Sequence, residues 1–356
     1  MKSIPIFGNY QKFPKKNLAG KICLSPFVSA TILAKGKVRL CACGGWQPTT
    51  VGNIFEQPLI EILNNSLSKE IRQTIVDGTY EFCDADKCGI INNNQLNDIN
   101  SLDNITLEKI NGKIGLPREI FMSGDLTCNL SCPSCRTKIY KPTPKQVAHQ
   151  IELGQKISNN CFSQASNEHI LLTLSTTGEL FASPMLLSFL ATINLDNFPN
   201  LKLHIQTNAL LAKSKWKKLG LFQNRIKRIT VTFDATEKQT YEEIRRGGRW
   251  EDLIENLEFL KSKKKEMQFE YHSRMVVQQK NYNQMLEFYH MSKNFDFDRV
   301  EYGRLQNWYT WNLEEFKQHD VFSPLHLEYK QARHNYSEVL KLPNTMFFGG
   351  FAIDRA

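Results

Sequence analysis

The chain has 356 residues and a net charge of +9, with 41% hydrophobic and 23% charged residues. That length can bury at least one large core and suggests two or three domains, while the composition excludes a disordered polyelectrolyte. No run of 18 apolar residues occurs, so no membrane-spanning helix is expected, and Met1 to Lys16 lacks the apolar stretch of a secretory signal. The nine cysteines are therefore expected in a reducing cytoplasm, where close groups ligate metals or do chemistry. The basic clusters at 213–218, 225–228 and 261–265 carry no aromatic-studded motif. They read as wet faces and ends of helices rather than as a nucleic-acid surface.

Five zones follow in chain order. Residues 1–20 form an N-terminal extension. Residues 21–95 carry five cysteines, with strand-like runs at Phe27 to Leu33 and Lys37 to Leu40. Gly36 permits a tight hairpin that brings Cys23 towards Cys41. Residues 96–117, part of an Asn- and Asp-rich stretch, suit a surface linker. From 118 to 312 the pattern alternates strand and helix. Six strands are expected at Glu119–Asp125, Ile170–Ser175, Leu201–Gln206, Arg228–Phe233, Gln268–Val277 and Arg299–Leu305, each separated from the next by room for a crossover helix. Leu253, Ile254, Leu257 and Leu260 recur at helical spacing and mark a helix over Trp250–Lys264. Repeated strand–helix units imply an α/β fold with a parallel sheet, whose functional residues lie past the C-terminal ends of the strands. Residues 313–356 read as a last helix, Leu325–Leu340, and an irregular tail.

The densest chemistry follows the first of these strands: Cys128-Asn129-Leu130-Ser131-Cys132-Pro133-Ser134-Cys135. Three thiolates on one short loop can hold three irons of a [4Fe–4S] cube and leave the fourth iron open to another molecule. A structural zinc knuckle is the competing reading. It needs a fourth ligand at tetrahedral spacing, and only the distant Cys161 and a folded-back His149 offer one. Cys161 itself reads as a small buried hydrophobe.

This motif resembles that of the radical S-adenosylmethionine (SAM) superfamily, and the likeness extends over residues 118 to about 310. Ser175 to Glu179 looks like the family's glycine–glutamate turn, with Thr177 where a glycine is usual. Thr207-Asn208 resembles its threonine–asparagine turn, and Thr232 to Asp234 with Arg245 its serine–isoleucine–aspartate segment. Val277, with Asn281 close behind, is similar to its adenine and ribose contacts. The resemblance implies a partial (β/α)6 barrel and places Cys128, Cys132 and Cys135 on the SAM-binding cluster. It implies cofactor contacts from Gly178, Glu179, Thr207, Asn208, Thr232, Asp234, Arg245 and Val277. Ser134 departs from the family, where an aromatic residue usually packs on adenine.

The spacing of Cys23, Gly36, Cys41, Cys43, Cys83 and Cys88 looks like the SPASM or shorter twitch module, which holds auxiliary [4Fe–4S] clusters. Here it precedes the barrel instead of following it. Five cysteines support one cluster, on Cys23, Cys41, Cys83 and Cys88, with Cys43 competing for a place; a zinc ribbon is the alternative. The implied activity is reductive cleavage of SAM to a 5′-deoxyadenosyl radical that abstracts hydrogen from a substrate. A ribosomally made peptide or protein side chain is the first expectation, because the aromatic and basic stretch Tyr302–Trp311 falls at the barrel mouth. Dehydrogenation or epimerisation of a sugar, aminocyclitol or other small molecule is the second. An external one-electron donor of the flavodoxin or ferredoxin type is implied as partner. A non-catalytic iron–sulfur scaffold would leave the ordered strand-end residues without a purpose.

Overall fold

The computed structural model describes residues 12–41, 47–85, 88–92, 94–102, 112–174, 177–308 and 310–348. Its strands, in chain order, are β1 Lys21–Ile22, β2 Ser29–Ile32, β3 Lys37–Arg39, β4 Gly52–Asn53, β5 Asn97–Asp98 and β6 Glu119–Met122. They continue with β7 Ile170–Leu174, β8 Leu201–Thr207, β9 Ile226–Thr232, β10 Glu270–Val277, β11 Arg299–Arg304 and β12 Thr345–Phe348. β1 and β5 pair with each other, and the other ten form one sheet. From β6 to β12 the sheet runs in sequence order and every pairing is parallel. Helical crossovers make this possible, because parallel neighbours need a long connection.

All six expected strands form, with ends shifted by up to three residues. The alternation along them sorts side chains into two populations. Leu172, Leu203, Ile229, Tyr271 and Val300 are buried in the hydrophobic core, and helices cover that face. Their neighbours Thr173, His204, Thr230, His272 and Glu301 are buried too, and they bond to one another across the inner face. His204 Nε2 lies 2.9 Å from Thr230 Oγ1, and His272 Nδ1 lies 3.0 Å from Glu301 Oε1. Arg274 completes this group with two bonds to Glu301, at 2.6 and 2.8 Å. With one face in the apolar core and the other lined by bonded polar side chains, the parallel strands match the partial barrel expected from the sequence.

The helices begin and end where their sequences dictate. Pro144–Cys161 opens on a capping box of Thr143 and Gln146. Trp250–Met267 has Glu251 and Asp252 in its first turn and Lys264 and Lys265 in its last, which complements the helix dipole. Each basic cluster holds at least one ion pair: Lys213 with Glu255 at 2.6 Å, Lys264 with Asp298 at 2.7 Å, and Arg228 with Glu270 at 2.5 Å.

Three features differ from the sequence reading. The run from Phe27 to Leu33 begins helically, because Pro26 sits in the first turn of Ser25–Val28; only Ser29–Ile32 is strand. β2 then pairs parallel with β6, and β3 and β4 extend it antiparallel, so the cysteine-rich segment continues the barrel sheet. The tail expected to be irregular supplies β12 on the far edge. There Phe347 stacks on Tyr302 with ring centroids 5.3 Å apart and meets Tyr336 of the helix Tyr329–Leu340 edge-on at 3.9 Å. Among the described residues, no helix is long and apolar enough to cross a membrane.

Candidate functional site

The loop after β6 is pinned before any cysteine is placed. Thr127 N–H donates to Asp125 Oδ1 at 2.7 Å, and Ser131 N–H donates to the Arg246 carbonyl at 2.9 Å. A tight turn then sets Cys135 N–H and Arg136 N–H on the Cys132 carbonyl, both at 2.9 Å. Cys128 is half-buried, Cys132 buried and Cys135 exposed, and all three line one cleft of about 280 Å³.

Each of the three sulfurs faces an N–H donor. Leu130 N–H lies 3.5 Å from Cys128 Sγ, and Asn208 Nδ2 lies 3.9 Å from it. Arg245 Nη1 stands 3.8 Å from Cys132 Sγ, and Arg136 Nη2 stands 3.6 Å from Cys135 Sγ. Burial pushes the free Cys128 thiol up to about 11, while the Leu130 N–H and Arg136 pull the other way. Burial likewise raises Cys132, opposed by Arg245. Donors placed around buried sulfurs suit thiolates, whose charge they stabilise.

The other wall is made by the ends of successive strands. Gly178 follows β7 and packs on the cysteine loop. A Cβ there would stand 2.6 Å from the Asp125 carbonyl oxygen and 2.7 Å from that of Thr127, so only glycine fits. Glu179 N–H donates to that Thr127 carbonyl at 2.9 Å. Its carboxylate is buried and accepts from Thr207 Oγ1 at 2.7 Å, Asn208 N–H at 2.8 Å and Phe181 N–H at 3.2 Å. Burial raises the Glu179 pKa, and these donors oppose the rise. Glu179 thus ties the end of β7 to the end of β8. Asn208 carries the tie to the cysteine loop through Asn129 Oδ1 at 3.0 Å.

Asp234 follows β9 with φ of 62°, in the left-handed region that non-glycine residues rarely adopt. That turn points its carboxylate at Arg245 Nη2, 2.7 Å away, and at Val276 N–H, 2.7 Å away. Burial pushes the Asp234 pKa up and Arg245 pulls it down. Asn281 is fully buried and donates to the carbonyls of Asp234 and Val276 at 2.8 and 3.0 Å. It braces two strand ends rather than facing the cleft.

Of the residues expected at a cofactor, Gly178, Glu179, Thr207, Asn208, Thr232, Asp234 and Arg245 line the same cleft as the three cysteines. Val277 does not. It is fully buried on the helix-facing side, and Val276 lines the cleft instead. The physical reason is the period of two along a strand: His272, Arg274 and Val276 face inward, so Val277 must face outward. Leu130, Val276, Leu305 and Trp308 give the cleft its apolar wall, and Ser134 lines it where an aromatic residue was missing from the sequence.

Arg136 was not singled out from the sequence. Its guanidinium donates to the Leu126 and Thr177 carbonyls, each at 2.6 Å, and so clamps the cysteine loop to the Gly178 turn. The available signal was a cation directly after the third cysteine. Arg274, also on the cleft wall, was likewise not singled out; the available signal was its alternation with His272 and Val276.

A second cavity of about 110 Å³ lies in the N-terminal segment. Cys23, Cys41, Cys83 and Cys88 all line it, together with Pro26, Gln47, Tyr80, Ile90 and Ile91. Gly36, with φ of 76° and its Cβ position filled by Asn53 and Phe55, makes the hairpin that returns Cys41 towards Cys23. Tyr80, also left-handed, donates its hydroxyl to the Lys21 carbonyl at 3.0 Å. Burial raises the Cys23 and Cys83 thiols; the Ser25 backbone N–H opposes the rise at Cys23, and the neighbouring cysteines add to it at both. Cys43 lies outside the described residues.

Residues 23–89 match the family model of the SPASM iron–sulfur cluster-binding domain, so the sequence-based recognition of this segment is borne out. No curated protein matches the chain. Several solved structures are similar in fold. SuiB of Streptococcus suis bound to precursor peptide SuiA is 14% identical over 83% of this chain and 65% of that one, with a TM-score of 0.41. SuiB bound to S-adenosylmethionine is 15% identical over 70% and 54%, with a TM-score of 0.40. Methylornithine synthase PylB is 12% identical over 67% and 72%, with a TM-score of 0.37. This chain therefore spans 54–65% of the SuiB chain in those two structures. Likeness at this level gives no residue a role.

Proposed function

We propose that this chain is a radical SAM enzyme carrying one auxiliary iron–sulfur cluster. One observation supports this above the others. Three thiols of a single loop, each faced by an N–H donor, share a cleft with the ends of the next five strands. The donor set fits a cube that takes one thiolate at each of three corners. Four thiols distributed around a second, nearly apolar cavity fit a fully ligated cube.

Cys128, Cys132 and Cys135 would hold the first cluster, and Cys23, Cys41, Cys83 and Cys88 the second. When bound, the first cluster supplies the electron that cleaves SAM and so starts hydrogen abstraction from a substrate. The protein's own part is placement. Gly178 and Glu179 would offer their turn to the amino group of SAM, while Glu179 also fixes Thr207 and Asn208. Arg245, oriented by Asp234, brings a positive charge beside Cys132 and would pair with the SAM carboxylate. Thr232 offers a hydroxyl, and Val276 and Leu305 offer apolar contact to adenine. Arg136 keeps the cysteine loop in register with the opposite wall.

The substrate is proposed to be a peptide or protein side chain. Trp308 lines the cleft yet is 62% exposed, as a residue that awaits a chain crossing the barrel mouth would be. A polar small molecule is the second reading, favoured by Gln206, Arg274 and Gln306 on the same wall. An external one-electron donor of the flavodoxin or ferredoxin type would complete the system. Anaerobically reconstituted protein, given SAM and a strong reductant, should release 5′-deoxyadenosine and methionine. Release that persists after Cys135→Ala would sink the proposal. A mass change in a candidate peptide, set against one in a sugar, separates the two substrate readings.

A further inference from the structure

Gln47 lines the cavity bordered by Cys23, Cys41, Cys83 and Cys88, and it is only 1% exposed. Neither its side-chain nitrogen nor its oxygen has a hydrogen-bond partner among the described residues. A buried amide without partners is costly, and native structures rarely keep one unless a ligand or water satisfies it. The other polar side chains on this cavity are engaged elsewhere. The Tyr80 hydroxyl donates to the Lys21 carbonyl, and the Ser25 hydroxyl lies 3.4 Å from that of Ser29. The rest of the wall is Pro26, Ile90 and Ile91.

We infer that Gln47 donates its side-chain N–H to a sulfur of the auxiliary cluster and thereby sets its reduction potential. The inference rests on the proposed reading of these four cysteines as cluster ligands. Its physical basis is charge. A reduced cluster carries one more negative charge than the oxidised one, and an N–H dipole aimed at its sulfur stabilises the reduced form. The wall is nearly apolar, with the Ser25 backbone N–H at Cys23 as another donor, and in such low-dielectric surroundings a side-chain donor from Gln47 has a large effect. Gln47 is a positioning and tuning residue, not a ligand.

The test uses the full chain, reconstituted without oxygen, in a Cys132→Ala background so that only the auxiliary cluster reports. Gln47→Met is close in size and removes the donor without adding a charge, while Gln47→Leu removes all polarity. Both should retain about four irons. At a fixed applied potential, the reduced-to-oxidised ratio should fall about tenfold, equal to ~59 mV for a one-electron couple. With ¹⁵N-glutamine labelling, pulsed electron paramagnetic resonance should detect a nitrogen coupled to the reduced cluster, lost in Gln47→Met. If Gln47→Leu does not load, Gln47→Met decides. An unchanged potential in a loaded variant, or no coupled nitrogen, overturns the inference. If the Cys132→Ala parent takes up no iron, the reading of the four cysteines fails instead.

Discussion

Gly178→Ala isolates the packing of the cofactor turn against the cysteine loop. The added methyl would meet two backbone oxygens, of Asp125 at 2.6 Å and Thr127 at 2.7 Å. Both contacts are roughly 0.7–0.8 Å short of ordinary carbon–oxygen contact. Neither oxygen is the end of a flexible side chain, so the loops themselves must part. Opening them stretches the bond from Glu179 N–H to the Thr127 carbonyl, now 2.9 Å. Overpacking of this kind costs about 1–3 kcal/mol, and the lost bond adds about 1 kcal/mol. The same movement carries Cys128, the next residue after Thr127, away from Asn208. Displacements near 1 Å cost catalytic sites on the order of a hundredfold. Urea unfolding should therefore show a loss of ~2–4 kcal/mol, and calorimetry on reconstituted protein should show weaker SAM binding. Wild-type stability together with wild-type affinity would refute the reasoning, because no neighbouring side chain can yield to absorb the methyl.

Cys132→Ala should lower iron content from about eight to about four per chain and abolish 5′-deoxyadenosine release. Arg245→Ala should weaken SAM binding by ~2 kcal/mol. It should also cost ~3–5 kcal/mol of stability, because it strands the buried Asp234 carboxylate. Adding Asp234→Asn should recover much of the stability but not the affinity, and recovery of both would contradict the assigned charge. Burial, with Arg228 and Arg274 nearby, holds His204 down to about 3. Although burial alone would raise Glu301, His272 and Arg274 hold it down to about 2. Both groups bind protons more weakly folded than unfolded. Their stabilisation is complete above about pH 6.5 for His204 and about pH 4.5 for Glu301, and it is lost on acidification below those values. Unfolding free energies from urea titrations between pH 7 and 5 should fall with a slope approaching ~1.4 kcal/mol per pH unit, less steeply in His204→Gln, and the midpoints should fall with them. A midpoint that rises on acidification would contradict the buried neutral imidazole.

The barrel strands were legible because each is a short apolar or β-branched run bounded by turns, and local pattern decides such elements. The cysteine triplet was legible from its spacing and the strand-end turns from their resemblance to a known family; parallel strands deliver their C-terminal loops to one rim, and the cleft gathers them there. What failed was long-range. β2 pairs with β6 across nearly 90 residues of sequence, and no local pattern announces that. The run at 345–348 was visibly apolar, but its partner β11 was not readable from it. Val277 was misplaced by one residue because the facing of a strand end is set by the barrel, not by the turn after it. The polar side chains at His272 and Arg274 hold that information. Arg136 and Gln47 belong to another class: polar groups whose partners are carbonyls, sulfurs or a cavity, none of which leaves a local signature.

The claim on which the rest depends is that one corner of a three-cysteine cluster is open to SAM. Electron paramagnetic resonance of the reduced, reconstituted protein before and after adding SAM tests it most directly. The signal of one cluster should change on addition while the other stays as it was, and Cys132→Ala should remove the responsive signal alone. A spectrum indifferent to SAM, from protein with its full complement of iron, would contradict the account.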